Sequence, residues 1–363
     1  MALLLAACHK KETAPKLAVA YPKEILVAPF PNLSEAGDFS TGALIKMDYN
    51  GNIKLQKTLT SAAFNFRRWI INGKTYYSYL QYDPTPTTPL LGWLAGTVIV
   101  TDSALNQLQS IRLLGHSGHD DRLDGHEFIL LSPTHYIVET YYETQVTNIP
   151  DSVPHAANCT VMAPLIQEVN NGQVVFEWNA SNFPGFYAAS VEGNDFTSTD
   201  PQDYMHMNDI FIDPKDNNLI VSFRQTDQII KVDRTTGVIM WKLGNQGDFP
   251  MTADEQFLRQ HDATIFGGDT LMFVDNGLAG TRPYSRIVEF TLNETNKTIN
   301  SFKATPLPAA SPFISYMGSV QKNNGIYFIG GGTIPMNFEI NATTGALISE
   351  QAIASNSYRA FKY

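Results

Sequence analysis

The sequence predicts an all-β fold, a six-bladed β-propeller closed by pairing of its N- and C-terminal strands, and three observations carry that expectation. Strand-like apolar runs punctuated by Gly, Asn, Asp, Thr and Pro fill the chain, and candidate helices are few. A hairpin recurs along it, clearest at Ile229-Ile230-Lys231-Val232-Asp233-Arg234-Thr235-Thr236-Gly237-Val238-Ile239-Met240-Trp241. Stretches suited to an innermost strand return about 55–60 residues apart, with one longer gap, which is the period of a four-stranded blade plus loops. A β-sandwich would space its strands more closely and more evenly.

The elements follow in order. The run at residues 24–30 is expected to pair with the last strand, 358–363, so that the closed ring keeps no exposed edge. Hairpin copies fall at Ala43-Leu44-Ile45-Lys46-Met47-Asp48-Tyr49-Asn50-Gly51-Asn52-Ile53, in degenerate form after Val98-Ile99-Val100-Thr101-Asp102, and at 165–178, 229–241, 287–290 and 338–345. In the clearest copy the turn is Asp-x-x-Thr-Gly, whose glycine supplies the positive φ that a tight hairpin needs. Inner strands are expected near 66–79, 126–140, 206–223, 261–276 and 317–330. Trp178 and Trp241 end hairpins and read as blade packing. The longer gap, 144–204, reads as a lid or specificity loop whose Phe183-Pro184-Gly185-Phe186-Tyr187 would offer an aryl-binding wall. The Asp83-Pro84-Thr85-Pro86-Thr87-Thr88-Pro89 run is a surface excursion.

A chain of 363 residues buries a core that needs no covalent staples. Residues 23–363 are expected to form a single propeller domain. Residues 1–22 read as a tether, because Met1-Ala2-Leu3-Leu4-Leu5-Ala6-Ala7-Cys8 resembles a bacterial lipobox, with the Cys8 thiol as lipid anchor. That implies an exported protein of the periplasm or outer membrane, in contact with the bilayer only through its lipid. Cys159 then has no partner and reads as a buried thiol. The net charge of -10 with no basic stripe argues against nucleic acid. Gly330-Gly331-Gly332 lacks the Lys-Ser/Thr of a phosphate loop, so a nucleotide is not expected.

Three histidines stand directly before strand-like runs: His126 in Gly125-His126-Glu127, His206 in Met205-His206-Met207-Asn208, and His261 in Gln260-His261-Asp262. In a propeller the residue opening each inner strand sits at the mouth of the axial channel, so the three imidazoles are expected to converge. Asn208, two residues after His206, is expected on the same face, and Arg224 at the end of the following run would aim a guanidinium at the same space. Imidazoles, an amide and one arginine suit a tetrahedral oxyanion. Two other readings compete: a three-histidine metal site, which Arg224 disfavours, and a non-catalytic propeller that binds an anionic or sulfated ligand or a protein partner. His116, His119, His155 and His135 are expected to be solvated.

His-x-Asn at 206–208, Ser222-Phe223-Arg224, Thr236-Gly237-Val238-Ile239-Met240-Trp241, Gln260-His261-Asp262 and Asp275-Asn276-Gly277 follow one another in an order that resembles the bacterial arylsulfate sulfotransferases. The resemblance covers the centre and much of the C-terminal half. It implies a nucleotide-independent, cofactor-free enzyme that moves a sulfuryl group from an aryl sulfate donor to a phenol acceptor. His261 would be the nucleophile and become a transient sulfohistidine. His206, Asn208 and Arg224 would hold the sulfate oxygens. His126 would serve as a further oxygen ligand or as acid and base for the phenolic oxygen. The first site departs from the family's His-Asp pattern, since Glu127 follows His126.

Overall fold

A computed structural model describes residues 22–30, 39–83, 94–308 and 313–363. Cys8, all but the last residue of the 1–22 segment, and most of the proline-rich excursion lie outside the described residues. Six four-stranded antiparallel sheets form the ring. The first blade is composite. Its innermost strand, Asn356–Lys362, pairs with Ile25–Phe30 in the register Leu26↔Phe361 and Val27↔Ala360, and Gly42–Met47 and Ile53–Leu59 complete it. The expected closure of the ring is therefore present.

The other five blades start from the inner strands Ala63–Ile71, Phe128–Ser132, Met207–Ile212, His261–Phe266 and Ser319–Asn323. The expected stretches 206–223, 261–276 and 317–330 each hold an inner strand and the whole of the next strand of its blade, whereas 66–79 and 126–140 take in only parts of their pairs. The hydrophobic clusters lie mainly between neighbouring blades. Val221, Phe223 and Ile230 of the fourth pack on Ile137, Val161 and Trp178 of the third, and Leu271 and Phe273 of the fifth pack on Ile229 and Trp241 of the fourth. Inner strands are thus covered on both faces, whereas the outermost, such as Leu347–Ala352, are largely exposed. That gradient follows from packing sheets face to face around an axis.

The turns repeat one piece of chemistry. Asp233 accepts the N–H groups of Thr235 and Thr236 at 2.9 and 2.7 Å, and Asn341 accepts those of Thr343 and Thr344 at 2.9 Å each. Gly237 and Gly345 follow with φ of 74° and 72°. A side-chain oxygen that closes the turn and a glycine that bears its left-handed residue explain why this motif marks the blades.

The 144–204 region differs from the expectation of an open aryl wall. It contains the strands Cys159–Asn170 and Gln173–Asn179, and its aromatics turn inward. Phe186, Tyr187, Phe196 and Tyr204 are buried; Tyr187 stacks on Tyr204 with ring centroids 4.7 Å apart. Burying four rings outweighs presenting them to solvent. Cys159 is fully buried, and Trp178 and Trp241 pack between neighbouring blades. Among the described residues no helix is long and apolar enough to cross a membrane.

Candidate active site

The inner strands begin with broken backbone. The pairing of Met207–Ile212 shifts between Met207 and Asp209, that of His261–Phe266 shifts between His261 and Thr264, and His206 and Asp262 have φ of 54° and 60°. Bulges at strand mouths re-aim side chains. Here they stand beside His206 and His261, and His126 joins these two rings from the third blade. His126 lies 5.0 Å from His206 and 6.5 Å from His261, centroid to centroid, and all three are buried. Tyr358 of the closing strand stands between them, 5.2 Å from His126 and 5.0 Å from His261.

Each ring is held by one nitrogen. His261 Nδ1 donates to the Gly318 carbonyl at 2.7 Å, which leaves the Nε2 lone pair free of the backbone. Gly318 has φ of 93°, a conformation that favours glycine. His206 Nδ1 meets Asp203 Oδ2 at 2.7 Å, and His126 Nδ1 meets Asp124 Oδ1. The carboxylates of Asp124 and Asp203 also accept the backbone N–H groups of His126 and His206. An Asp two or three residues before His126 and His206 is a readable sequence feature, although the histidine register alone does not reveal it.

Burial, the Arg359 charge and the other two histidines push His261 well below the ordinary imidazole range, against the Gly318 carbonyl's opposite pull. Burial also lowers His126, and Asp124 offsets only part of that. Both rings are therefore neutral near pH 7 and carry a basic nitrogen.

Asn208 is fully buried and its Nδ2 donates to the Gln260 carbonyl at 2.6 Å. The rule that residues two apart share a face holds only for extended backbone, and His206 is left-handed, so Asn208 does not simply continue the face of His206. Its amide clamps the backbone just before His261 instead. Neighbouring blades repeat the device: Asn65 Nδ2 donates to the His126 carbonyl at 3.0 Å, and Asn276 Nδ2 to the Met317 carbonyl at 3.1 Å, just before Gly318. One N–H of Asn208 is thus committed to positioning.

Arg224 begins a single 3-10 turn, and its backbone N–H donates to the His206 carbonyl at 2.9 Å. Its guanidinium pairs with Glu192 from the 144–204 region at 2.9 Å, and Arg259 pairs with the same carboxylate. Burial pushes Glu192 up, but the two arginines outweigh it and hold it below its usual range. Arg224 is therefore tied at the mouth by a carboxylate.

A second arginine lies at the axis itself. Arg359, on the closing strand, is 1% exposed and meets Glu127 at 2.5 Å, Asp209 at 2.7 Å and Asp262 at 3.2 Å. These acids directly follow His126, Asn208 and His261 in sequence. The alternation of sites and acids thus builds a histidine layer above a charged hub. Beyond the hub, a cavity of about 310 Å³ is lined by Arg67, Arg68, Trp69, Lys322, Phe361 and Tyr363 among others. Its burial sets Arg359 among these acids and not on the outer surface of the closing strand.

The remaining histidines differ in part from the solvated expectation. His135 meets Glu168 at 2.5 Å and His116 meets Glu177 at 2.8 Å, both half-buried, while His155 bonds the Val153 carbonyl and His119 is exposed. The ligand atoms of Asp124, His126 and Glu139 lie within 4.8 Å of one another. Two members of that trio are already engaged with each other, which leaves Glu139 as the unexplained group.

A family model described as arylsulfotransferase (ASST) matches residues 41–360. No curated protein matches the chain. Among solved structures, a protein of unknown function from Bacteroides caccae aligns at 12% identity over 94% of this chain and 98% of its own, with a TM-score of 0.50. A chain of a nidogen/laminin complex aligns at 9% identity over 93% and 97%, with a TM-score of 0.49. At such identities the first of these speaks for the fold alone.

Proposed function

The chain belongs to the arylsulfotransferase family, and from that premise we propose that it transfers a sulfuryl group from an aryl sulfate to a phenol in two steps through His261. The observation that carries this reading is the tautomer of His261. With Nδ1–H given to Gly318, Nε2 keeps its lone pair, on a ring whose centroid lies 6.5 Å from that of His126.

In the first step Nε2 attacks sulfur, an N–S bond forms, and the S–O(aryl) bond breaks with its electron pair going to the phenolic oxygen. In the second step the acceptor phenol attacks the same sulfur, the N–S bond breaks and His261 is regenerated. His126 takes the acceptor's proton and passes it to the next leaving phenolate; its lowered basicity makes that return easy. His206, oriented by Asp203, and Arg224, the cation at the mouth, hold the sulfate oxygens, and Asn208 positions His261 through Gln260. Sulfuryl transfer has a loose in-line transition state, as phosphoryl transfer does, so fixed donors and position supply most of the catalysis. The use of a lipid on Cys8 to hold the propeller at an outer membrane belongs to this same proposal.

Incubating the protein with an aryl sulfate and no acceptor should add roughly 80 mass units, one SO3, to the peptide that bears His261. An unmodified peptide during active turnover would rule out the covalent route. The acid limb of that half-reaction should also be displaced. His261 stays unprotonated as pH falls through the ordinary histidine range near ~6.5, and loses its lone pair only at the depressed value. Single-turnover phenol release measured against pH should therefore hold through that range. A midpoint between about 6 and 7 would contradict the assignment.

A further inference from the structure

Glu139 is the one member of the axial carboxyl group for which the catalytic proposal has no use. It lies on the second strand of the third blade, His135–Val146, is 1% exposed, and among the described residues neither side-chain oxygen has a hydrogen-bond partner. Its neighbours are all better provided for. Glu127 has Arg67 and Arg359, Asp209 has Arg359, and Asp262 has Arg359 and the Val320 N–H. Asp124 accepts the Leu94 N–H at 3.0 Å and both the N–H and Nδ1 of His126. Around Glu139 the fold thus gathers the carboxyls of Asp124, Glu127 and Asp209 and one guanidinium, Arg359, which is already committed. An ionised carboxylate buried there without a donor would cost several kcal/mol.

We propose that Glu139 is a positioning residue of this site, an un-ionised carboxyl that keeps the Asp124–His126 pair at a single negative charge and so lets His126 release the proton it takes up. The physical reason is additive charge. One carboxylate on His126 orients the ring, whereas a second within 4.8 Å would hold a proton on it and stop its return to the leaving oxygen. The groups that face Glu139 agree with this. Burial first, then Asp124 and Glu127, push its carboxyl well above the usual range; Arg359 opposes and Asp209 adds to the rise. Tyr141 on its own strand and Tyr358 on the closing strand also face it, and burial holds both phenols far above their usual range, so neither adds a negative charge.

This role rests on the two-step reading for its catalytic meaning, but the state of Glu139 can be tested without turnover. Infrared difference spectra of wild type against Glu139→Gln at neutral pH should show the C=O stretch of a buried carboxylic acid, present only in wild type. In Asp124→Asn, which removes the neighbouring charge, that band should disappear at a lower pH than in wild type. Because the folded form keeps a proton that the unfolded chain releases above about pH 4.3, wild-type stability should fall relative to Glu139→Gln as pH rises from there.

In the rate profile, at the alkaline pH where wild-type turnover has dropped tenfold, Glu139→Gln should have dropped less than about twofold. Absence of the acid band overturns the proposal, and so does a stoichiometric metal in wild type that Glu139→Gln lacks, which would make Asp124, His126 and Glu139 a cation site. If the band and the stability trend appear but no aryl sulfate is turned over, the charge state of Glu139 stands and the sulfotransferase reading falls.

Discussion

His261→Ala is expected to lower turnover of an aryl sulfate by at least about a thousandfold while leaving a folded protein, a loss worth ~4 kcal/mol of transition-state stabilisation. The fold should survive because the ring contributes one hydrogen bond, His261 Nδ1 to the Gly318 carbonyl, worth about 1 kcal/mol. The axial hub below is built by Asp262, not by His261. Comparing the three histidines separates the competing readings. A covalent route predicts that His261→Ala loses both turnover and the sulfuryl adduct, whereas His126→Ala still forms the adduct and slows its transfer to the acceptor. A three-imidazole metal site predicts equal losses for all three, together with loss of bound metal. A binding propeller predicts that wild type holds aryl sulfates and turns none over. Stopped-flow release of a coloured phenol, with intact-mass measurement of the adduct, distinguishes the three.

The parts of this site that were legible in the sequence are those fixed by register. His126, His206 and His261 each stand before an apolar run, and inner strands of a propeller bring such positions to one mouth, so their convergence follows from the repeat. The closing strand was legible for the same reason, because a ring with an incomplete last blade needs a partner. The orientation of individual groups was not. Asn208 was expected beside His206 by strict alternation, and the left-handed backbone of His206 cancels that rule. Arg224 was expected to reach inward, and Glu192 from a distant segment holds it at the mouth. The aromatics of 144–204 were read from composition as a wall, but composition does not say which face of a loop finds a core. Asp124 and Asp203 were visible beside their histidines, yet a carboxylate near an imidazole in sequence is informative only once the local turn is known.

Replacing Arg359 with methionine is expected to cost about 3–5 kcal/mol of stability, read as a lower denaturation midpoint. Methionine fills much of the same volume, so the loss measures charge more than a cavity. The guanidinium binds Glu127, Asp209 and Asp262 from the third, fourth and fifth blades, and donates to the Asn208 carbonyl at 2.9 Å. It does so from the strand that closes the ring, so the same residue ties the first blade to three others. Removing it leaves three buried carboxyls with Arg67 as their nearest remaining cation. Burial already holds Asp209 well above the usual carboxylate range and Asp262 above it, against the pull of Arg359. Without Arg359 these carboxyls rise further, and the folded variant binds protons that its unfolded chain has released. Its stability must therefore improve, relative to wild type, as pH falls toward the unfolded carboxylate range near ~4. Lysine should not substitute, because a single ammonium cannot reproduce a planar fork shared among three blades. A deficit in Arg359→Met that stays constant between neutral and acid pH would show that packing, and not the charged hub, holds the centre of the propeller together.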